Sequence, residues 1–206
     1  MAVKKKARAY CSEVRTASAD ETRGSIIKSA RKLLAGGKGV PKFSVDAVAR
    51  EAGITRLTIY NQFTSKRGLL EAVFDDMAQQ GGLYELASVF TESDTEKALR
   101  HFVSIFCGFW AKYAKVMPNF SAVAKLDAEI ALSLKQRIER RRKSLHMLVS
   151  RFTDIRNQND LIDILFALTG FEMFEALSGP HRSKAVVEEL IWQLVSDSVH
   201  RFTEKR

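Results

Sequence analysis

The sequence predicts an all-α fold of about nine helices, split into a small N-terminal helix-turn-helix unit and a larger helical C-terminal unit. Three observations predict it. Apolar residues recur at helical spacing along almost the whole chain, and no stretch alternates as a strand would. Only 3 Pro and 11 Gly interrupt the 206 residues. Hydrophobic residues make up 46% of the chain, enough to bury a core.

Residues 1–19 carry Lys4, Lys5, Lys6, Arg8 and Arg15 without an apolar period, and read as a flexible basic arm. A helix is expected from Asp20, with Ile26, Ile27, Ala30, Leu33 and Leu34 on one face and Gly36-Gly37 as its stop. After a loop with Pro41 and Phe43, Ser44 is placed to cap a short helix with Val45, Val48 and Ala49 inward. Gly53 supplies a tight turn. Thr55 caps a third helix, Arg56 to Gln62, and Ser65 a fourth, with Leu69, Val73, Phe74 and Met77 on one side.

Gln79-Gln80-Gly81-Gly82 marks a break, so residues 20–80 form one domain and 81–206 the other. In the second, Ser93 and Glu96 suit a capping box for a helix reaching about Val116, and Pro118 suits the first turn of the next. A long helix is expected from Ala128 to Phe152, with Ile138, Leu145, Val149 and Phe152 as its apolar stripe. Two more, Asp160–Leu177 and Arg182–Phe202, close the chain.

Charge is distributed unevenly. Residues 1–67 hold 15 Lys and Arg against 5 Asp and Glu, while 68–206 hold 18 against 19. The first third therefore carries the whole excess of a chain with net charge +9, which points to a polyanion partner for that part alone. Cys11 and Cys107 form neither a disulfide framework nor a zinc site. His101, His146, His181 and His200 are scattered without metal-ligand spacing, and no nucleophile elbow or phosphate-binding glycine loop occurs. No cofactor, metal or catalytic residue is expected. The absence of a signal peptide or a membrane-length apolar run predicts a cytoplasmic protein without a membrane partner.

The segment Val45–Phe63, VDAVAREAGITRLTIYNQF, joins two short amphipathic helices through a glycine turn. A second helix standing proud of the body fits the major groove of B-DNA. Its expected outward side chains are Thr55, Arg56, Thr58, Asn61 and Gln62. Arg can fork onto guanine, and Asn or Gln can pair with adenine. Lys66 and Arg67 stand in the first turn of the fourth helix, where cations oppose the helix dipole unless a phosphate docks there.

Ile26–Met77, and SVDAVAREAGITRLTIYNQFTSKRGLLEAVF within it, resembles the DNA-binding domain of the tetracycline-repressor (TetR) family of bacterial transcriptional regulators. The Ile59-Tyr60…Phe63…Lys66 spacing is typical of that family. The resemblance implies that Ser44 and Lys66 hold phosphates and that Tyr60 packs at the edge of the recognition helix with its hydroxyl toward the DNA backbone. It also implies that Thr55, Arg56, Leu57, Thr58, Asn61 and Gln62 face the groove, with Ile59 and Phe63 in the core. Two departures stand out: Leu57, where the family often has a small residue, and Gln62, where it often has His.

The family's C-terminal domains dimerise and sense small molecules, so the resemblance implies a homodimeric repressor of operator DNA released by an effector. For the dimer interface, Ile164, Leu168 and Phe171 on one helix, and Val187, Leu190, Ile191 and Leu194 on the last, carry more apolar surface than one core needs. For an apolar or aromatic effector, Phe102, Phe106, Phe109, Trp110, Tyr113, Met117 and Phe120 concentrate in one stretch, which is either ordinary core or a cavity wall. His146 and Tyr113 are the polar handles expected there. Arg140-Arg141-Arg142-Lys143 reads as a solvated face paired with Glu139. Two other readings stand beside this one: a DNA-binding regulator without an effector, and a helical enzyme or carrier with a vestigial helix-turn-helix.

Overall fold

The computed structural model describes the backbone of residues 2–36 and 43–203, with side chains from residue 17 onward. Gly37 and Pro41, expected in the loop before Ser44, lie outside the described residues, as do the side chains of Lys4, Lys5, Lys6, Arg8, Cys11 and Arg15. The described residues form eleven α-helices and a short 3-10 turn, with no strand. The chain divides into two compact units, 1–76 and 77–206.

In the first unit α1 spans Ala2–Ala35, α2 Val45–Ala52, α3 Arg56–Phe63 and α4 Lys66–Gln80, the last crossing the boundary between units. The segment expected to be a flexible basic arm, 1–19, has helical backbone from Ala2 onward. No Pro or Gly precedes Gly24, and Ala, Lys, Arg and Glu are strong helix formers, so nothing stops the helix at Asp20. Among the described side chains of α1, the buried apolar ones lie in its last part. Ile26, Ala30 and Leu34 are fully buried, together with Val48 of α2, Ile59 of α3, and Leu69 and Val73 of α4. Ion pairs close the rim: Arg31 to Asp76 at 2.6 Å and Lys32 to Glu51 at 2.5 Å.

The second unit opens with a 3-10 turn, Leu83–Glu85, and a single-turn helix α5, Leu86–Val89. Neither has a periodicity long enough to be read from sequence. Next come α6 Thr95–Tyr113, α7 Met117–Lys125, α8 Ala128–Val149, α9 Gln158–Leu168, α10 Phe171–Leu177 and α11 Lys184–Thr203. The core lies where α6 packs on α11, α11 on α9, and α9 on α8. Leu99, Phe102 and Phe109 meet there with Leu145, Leu148, Leu161, Leu165, Val187 and Ile191. No described helix is long and apolar enough to cross a membrane.

Three local expectations change. Asp94, not Ser93, caps α6, its Oδ1 accepting from the amides of Glu96 and Lys97, because it stands one residue closer to the helix start. Ile138 is exposed and falls outside the α8 stripe, which consists of Ile130, Leu145, Leu148 and Val149. The expected single helix 160–177 breaks at Thr169-Gly170. The Thr169 hydroxyl donates to the Leu165 carbonyl at 2.8 Å, its own carbonyl accepts from the Trp110 indole at 3.0 Å, and Gly170 is extended. With Gly170 extended, α9 ends and α10 begins anew, and the Trp110 indole satisfies one of the carbonyls left at the end of α9.

Gly81 ends α4 in tight quarters. A Cβ there would stand 2.5 Å from Cδ2 of Phe109 and 2.7 Å from the Met77 carbonyl oxygen. Overpacking at such a site costs about 1–3 kcal/mol. Gly81→Ala should lower stability by that amount in chemical unfolding, whereas Gly179→Ala, where a Cβ meets nothing within 4 Å, should leave it unchanged.

Candidate nucleic-acid interface

The first unit presents α3 by means of its caps. Ser44 lies in extended backbone and its hydroxyl accepts the Ala47 amide at 3.1 Å, which starts α2. Gly53 takes φ 68°, a left-handed conformation that a side chain would strain, and its amide closes back on α2. Thr55 then caps α3 by accepting the Thr58 amide at 3.2 Å. Ser65 does the same for α4, accepting the Gly68 amide at 3.0 Å. Three serine or threonine caps thus fix three helix starts within 22 residues.

The inward face of α3 is Ile59 and Phe63, both buried. Its outward face is Thr55, Arg56, Leu57, Tyr60 and Asn61, all exposed, with Thr58 and Gln62 half-buried at its edges. Leu57 is 68% exposed, a large apolar side chain in water with no core to fill. The residues read from sequence as groove-facing are therefore brought together on one surface. Lys66 is half-buried in the first turn of α4, a turn with no acidic residue. Its neighbour Arg67 pairs with Glu71 at 2.9 Å.

Two residues that sequence reasoning missed organise this surface. Asp46 of α2 reaches Arg56, with Nε to Oδ1 at 3.1 Å and Nη1 donating to Oδ2 at 3.2 Å. Arg56 also donates to the Tyr60 hydroxyl at 3.5 Å, which leaves the phenol free to donate outward. The Tyr60 hydrogen bond first, and the Asp46 charge next, hold the Arg56 guanidinium above its usual pKa. Arg23 of α1 donates to the Gln62 carbonyl at 2.7 Å and stacks 4.3 Å over the Phe63 ring, tying the end of α3 to α1. The Arg23 contact spans 39 residues and leaves no local signal in the sequence.

In the second unit the aromatic stretch is a ring-on-ring cluster. Phe102–Phe106, Phe106–Trp110, Phe109–Trp110 and Phe109–Tyr113 lie 4.7, 5.9, 4.9 and 5.2 Å apart, and all five rings are buried, as are Met117 and Phe120. His146 does not join them. It follows Leu145 onto the exposed side of α8. The polar group that does reach the cluster is Arg141, 5.7 Å over Phe106 and 4.2 Å over Phe166, with Nη1 3.4 Å from the Thr169 hydroxyl. Burial pulls its pKa down to about 10. The arginine run is thus only half a solvated face. Arg140 and Lys143 are exposed, while Arg142 stacks 4.1 Å over Phe166 and pairs with Asp163 and Glu139. Burial pushes the Cys107 thiol up to about 12, the opposite of what a nucleophile requires.

The residues expected at a dimer interface divide. Ile164 and Leu194 are exposed, and Leu168 and Leu190 half-buried, so α9 and α11 keep an apolar outer face that Val186 extends. Phe171, Val187 and Ile191 turn into the core of their own chain. The break at Gly170 rotates Phe171 inward, and Val187 and Ile191 share the inner face of α11 with Val195.

A model of the family described as bacterial regulatory proteins, tetR family, matches residues 26–73. The chain is 31% identical over 90 residues to the HTH-type transcriptional regulator EthR of Mycolicibacterium smegmatis, a match covering 43% of this chain and 41% of that one. It is 42% identical over 57 residues to the uncharacterized HTH-type transcriptional regulator TtgW of Pseudomonas putida, covering 28% of this chain and 42% of that one. The chain thus spans about two fifths of the length of the curated relatives it matches. In fold it is similar to a TetR-like transcriptional regulator from Rhodococcus sp. RHA1, with a TM-score of 0.63 at 17% identity, covering 87% of this chain and 96% of that one. The matched segment holds the three capped helix starts and the outward face of α3, and over that segment the chain is similar to the tetR family of bacterial regulatory proteins.

Proposed function

We propose that the protein is a homodimeric transcriptional regulator that binds operator DNA in the cytoplasm through α3, and that it is a repressor released by a small molecule held in the C-terminal unit. The observation that carries the DNA-binding reading is the outward face of α3. Polar and apolar side chains of groove-reading type stand together there, between the helix starts at Ser44 and Ser65. The Ser44 hydroxyl accepts from its own helix and keeps its proton for a phosphate oxygen, and Lys66 supplies charge at the other start. An apolar or aromatic effector suits the ring cluster of α6, and Arg141 replaces His146 as the polar group able to orient it. The ligand must favour one spacing of the two recognition helices over another, since only differential binding shifts an equilibrium. The outer faces of α9 and α11 support the dimer, in which two copies of α3 would meet successive major grooves about 34–36 Å apart.

Affinity and readout are separable by mutation. Lys66→Ala should weaken binding to all sequences alike and reduce the slope of log K against log salt by about one unit. An unchanged slope removes Lys66 from the interface.

Arg56→Ala should abolish discrimination at one base pair and leave the rest of the site intact. Replacing the thymine under Leu57 with uracil should weaken binding, because Leu57 has only a methyl to touch. A binding-site selection without any thymine preference would eliminate that contact.

Leu190→Glu with Leu194→Glu should convert the dimer to a folded monomer in light scattering and shrink its footprint to one half-site. A dimer that survives both charges places the interface elsewhere.

A further inference from the structure

Where the start of α6, the segment after α8 and the last turns of α11 meet, packing leaves a cavity of about 170 Å³. It lies within the C-terminal unit and is lined by none of the residues of the α6 ring cluster. Its walls are mainly apolar, with Leu99, Phe152 and Trp192 prominent, and its polar groups include Glu96, Ser196 and His200. That volume holds about six waters and falls well below the about 300–1,000 Å³ of pockets for drug-sized ligands. An occupant has fewer than about ten heavy atoms.

The hydrogen-bond inventory defines its chemistry. His200 Nδ1 lies 2.8 Å from the Ser196 carbonyl oxygen. A carbonyl only accepts, so Nδ1 carries a proton, and in that tautomer of the imidazole Nε2 is the acceptor. The Glu96 carboxylate is an acceptor as well, and among the described residues no cation comes within ion-pair distance of it. The cations nearest it on α6 are engaged elsewhere. Lys97 pairs with Asp94 at 3.6 Å and Arg100 with Glu189 at 2.8 Å. Arg151 donates through Nη2 to the carbonyls of Glu92 and Ser93, its buried Nη1 being left without a partner, and Arg156 donates to the carbonyl of Arg201. The Trp192 ring already lies under the Arg100 guanidinium at 5.2 Å, so cation–π attraction is in use at this wall.

The geometry assigns this cavity to a small organic cation, a primary ammonium on a short apolar or aryl stem. Its ammonium donates to the Glu96 carboxylate and to His200 Nε2, and its stem lies against Phe152 and Trp192. An anion of the same shape meets the Glu96 charge, and a neutral alcohol forgoes the charge-assisted hydrogen bond.

The test is calorimetric titration of the full-length protein with phenethylamine, using 2-phenylethanol as the neutral molecule of the same shape. The amine should bind saturably with one molecule per chain, and the alcohol at least tenfold more weakly. Glu96→Gln should weaken the amine at least tenfold with at most a small downward shift of the unfolding midpoint, from loss of one first-turn charge on α6; Asp197→Asn, on α11 but outside the cavity, should bind like the parent. Lack of saturation by millimolar amine, equal affinity for amine and alcohol, or undiminished affinity in Glu96→Gln would each overturn the assignment. The titration contains no DNA, so its failure is distinct from failure of the regulator reading.

Discussion

An eight-residue helix does not hold together in water by itself, and α3 has eight residues. Its existence depends on burying Ile59 and Phe63 in the first unit's core. The rest of the N-terminal unit serves that burial. Helix α1 contributes Ile26, Ala30 and Leu34 to the same core, and its Arg23 both stacks on Phe63 and takes the carbonyl of Gln62 at the unsatisfied end of α3. With only two side chains committed inward, most of α3 faces outward.

What could be read from sequence followed from the range of the forces involved. The caps at Ser44, Thr55 and Ser65 and the turn at Gly53 act over three or four residues, so their residue types announce them, and α2, α3 and the start of α4 lie where the pattern places them. The outward face of α3 was legible for the same reason: two apolar positions four apart define its opposite. The Arg23 contact, the Arg56–Asp46 pair and the break at Thr169 depend on partners brought near by folding, and residue spacing carries no trace of them. The N-terminal stretch shows a different limit. A polar segment without an apolar stripe reads as an arm, yet the helical backbone of α1 runs through it, as the helix-forming residues there allow.

The C-terminal unit shows how apolar excess is divided between inside and outside. Composition showed too many apolar residues on the last helices for one core, but not which of them would turn outward. The extended backbone at Gly170 decided it for Phe171, and the inner stripe of α11 decided it for Val187 and Ile191. Likewise α8 turns Arg141 toward the rings and His146 away, although both are polar residues on one helix, because a separation of five positions carries the chain more than a turn around the axis.

If α3 reads DNA as proposed, the ion pair between Arg56 and Asp46 has a kinetic consequence. In the free protein the guanidinium is parked against a carboxylate and a phenol. A chain scanning DNA would carry its most discriminating side chain folded back, and phosphates met in passing would compete with a carboxylate already in place. Only an acceptor pair matching the guanidinium fork, as a guanine edge does, offers an even exchange. Asp46 would thus act as a latch that lets sliding proceed on foreign sequence and releases the arginine at its target.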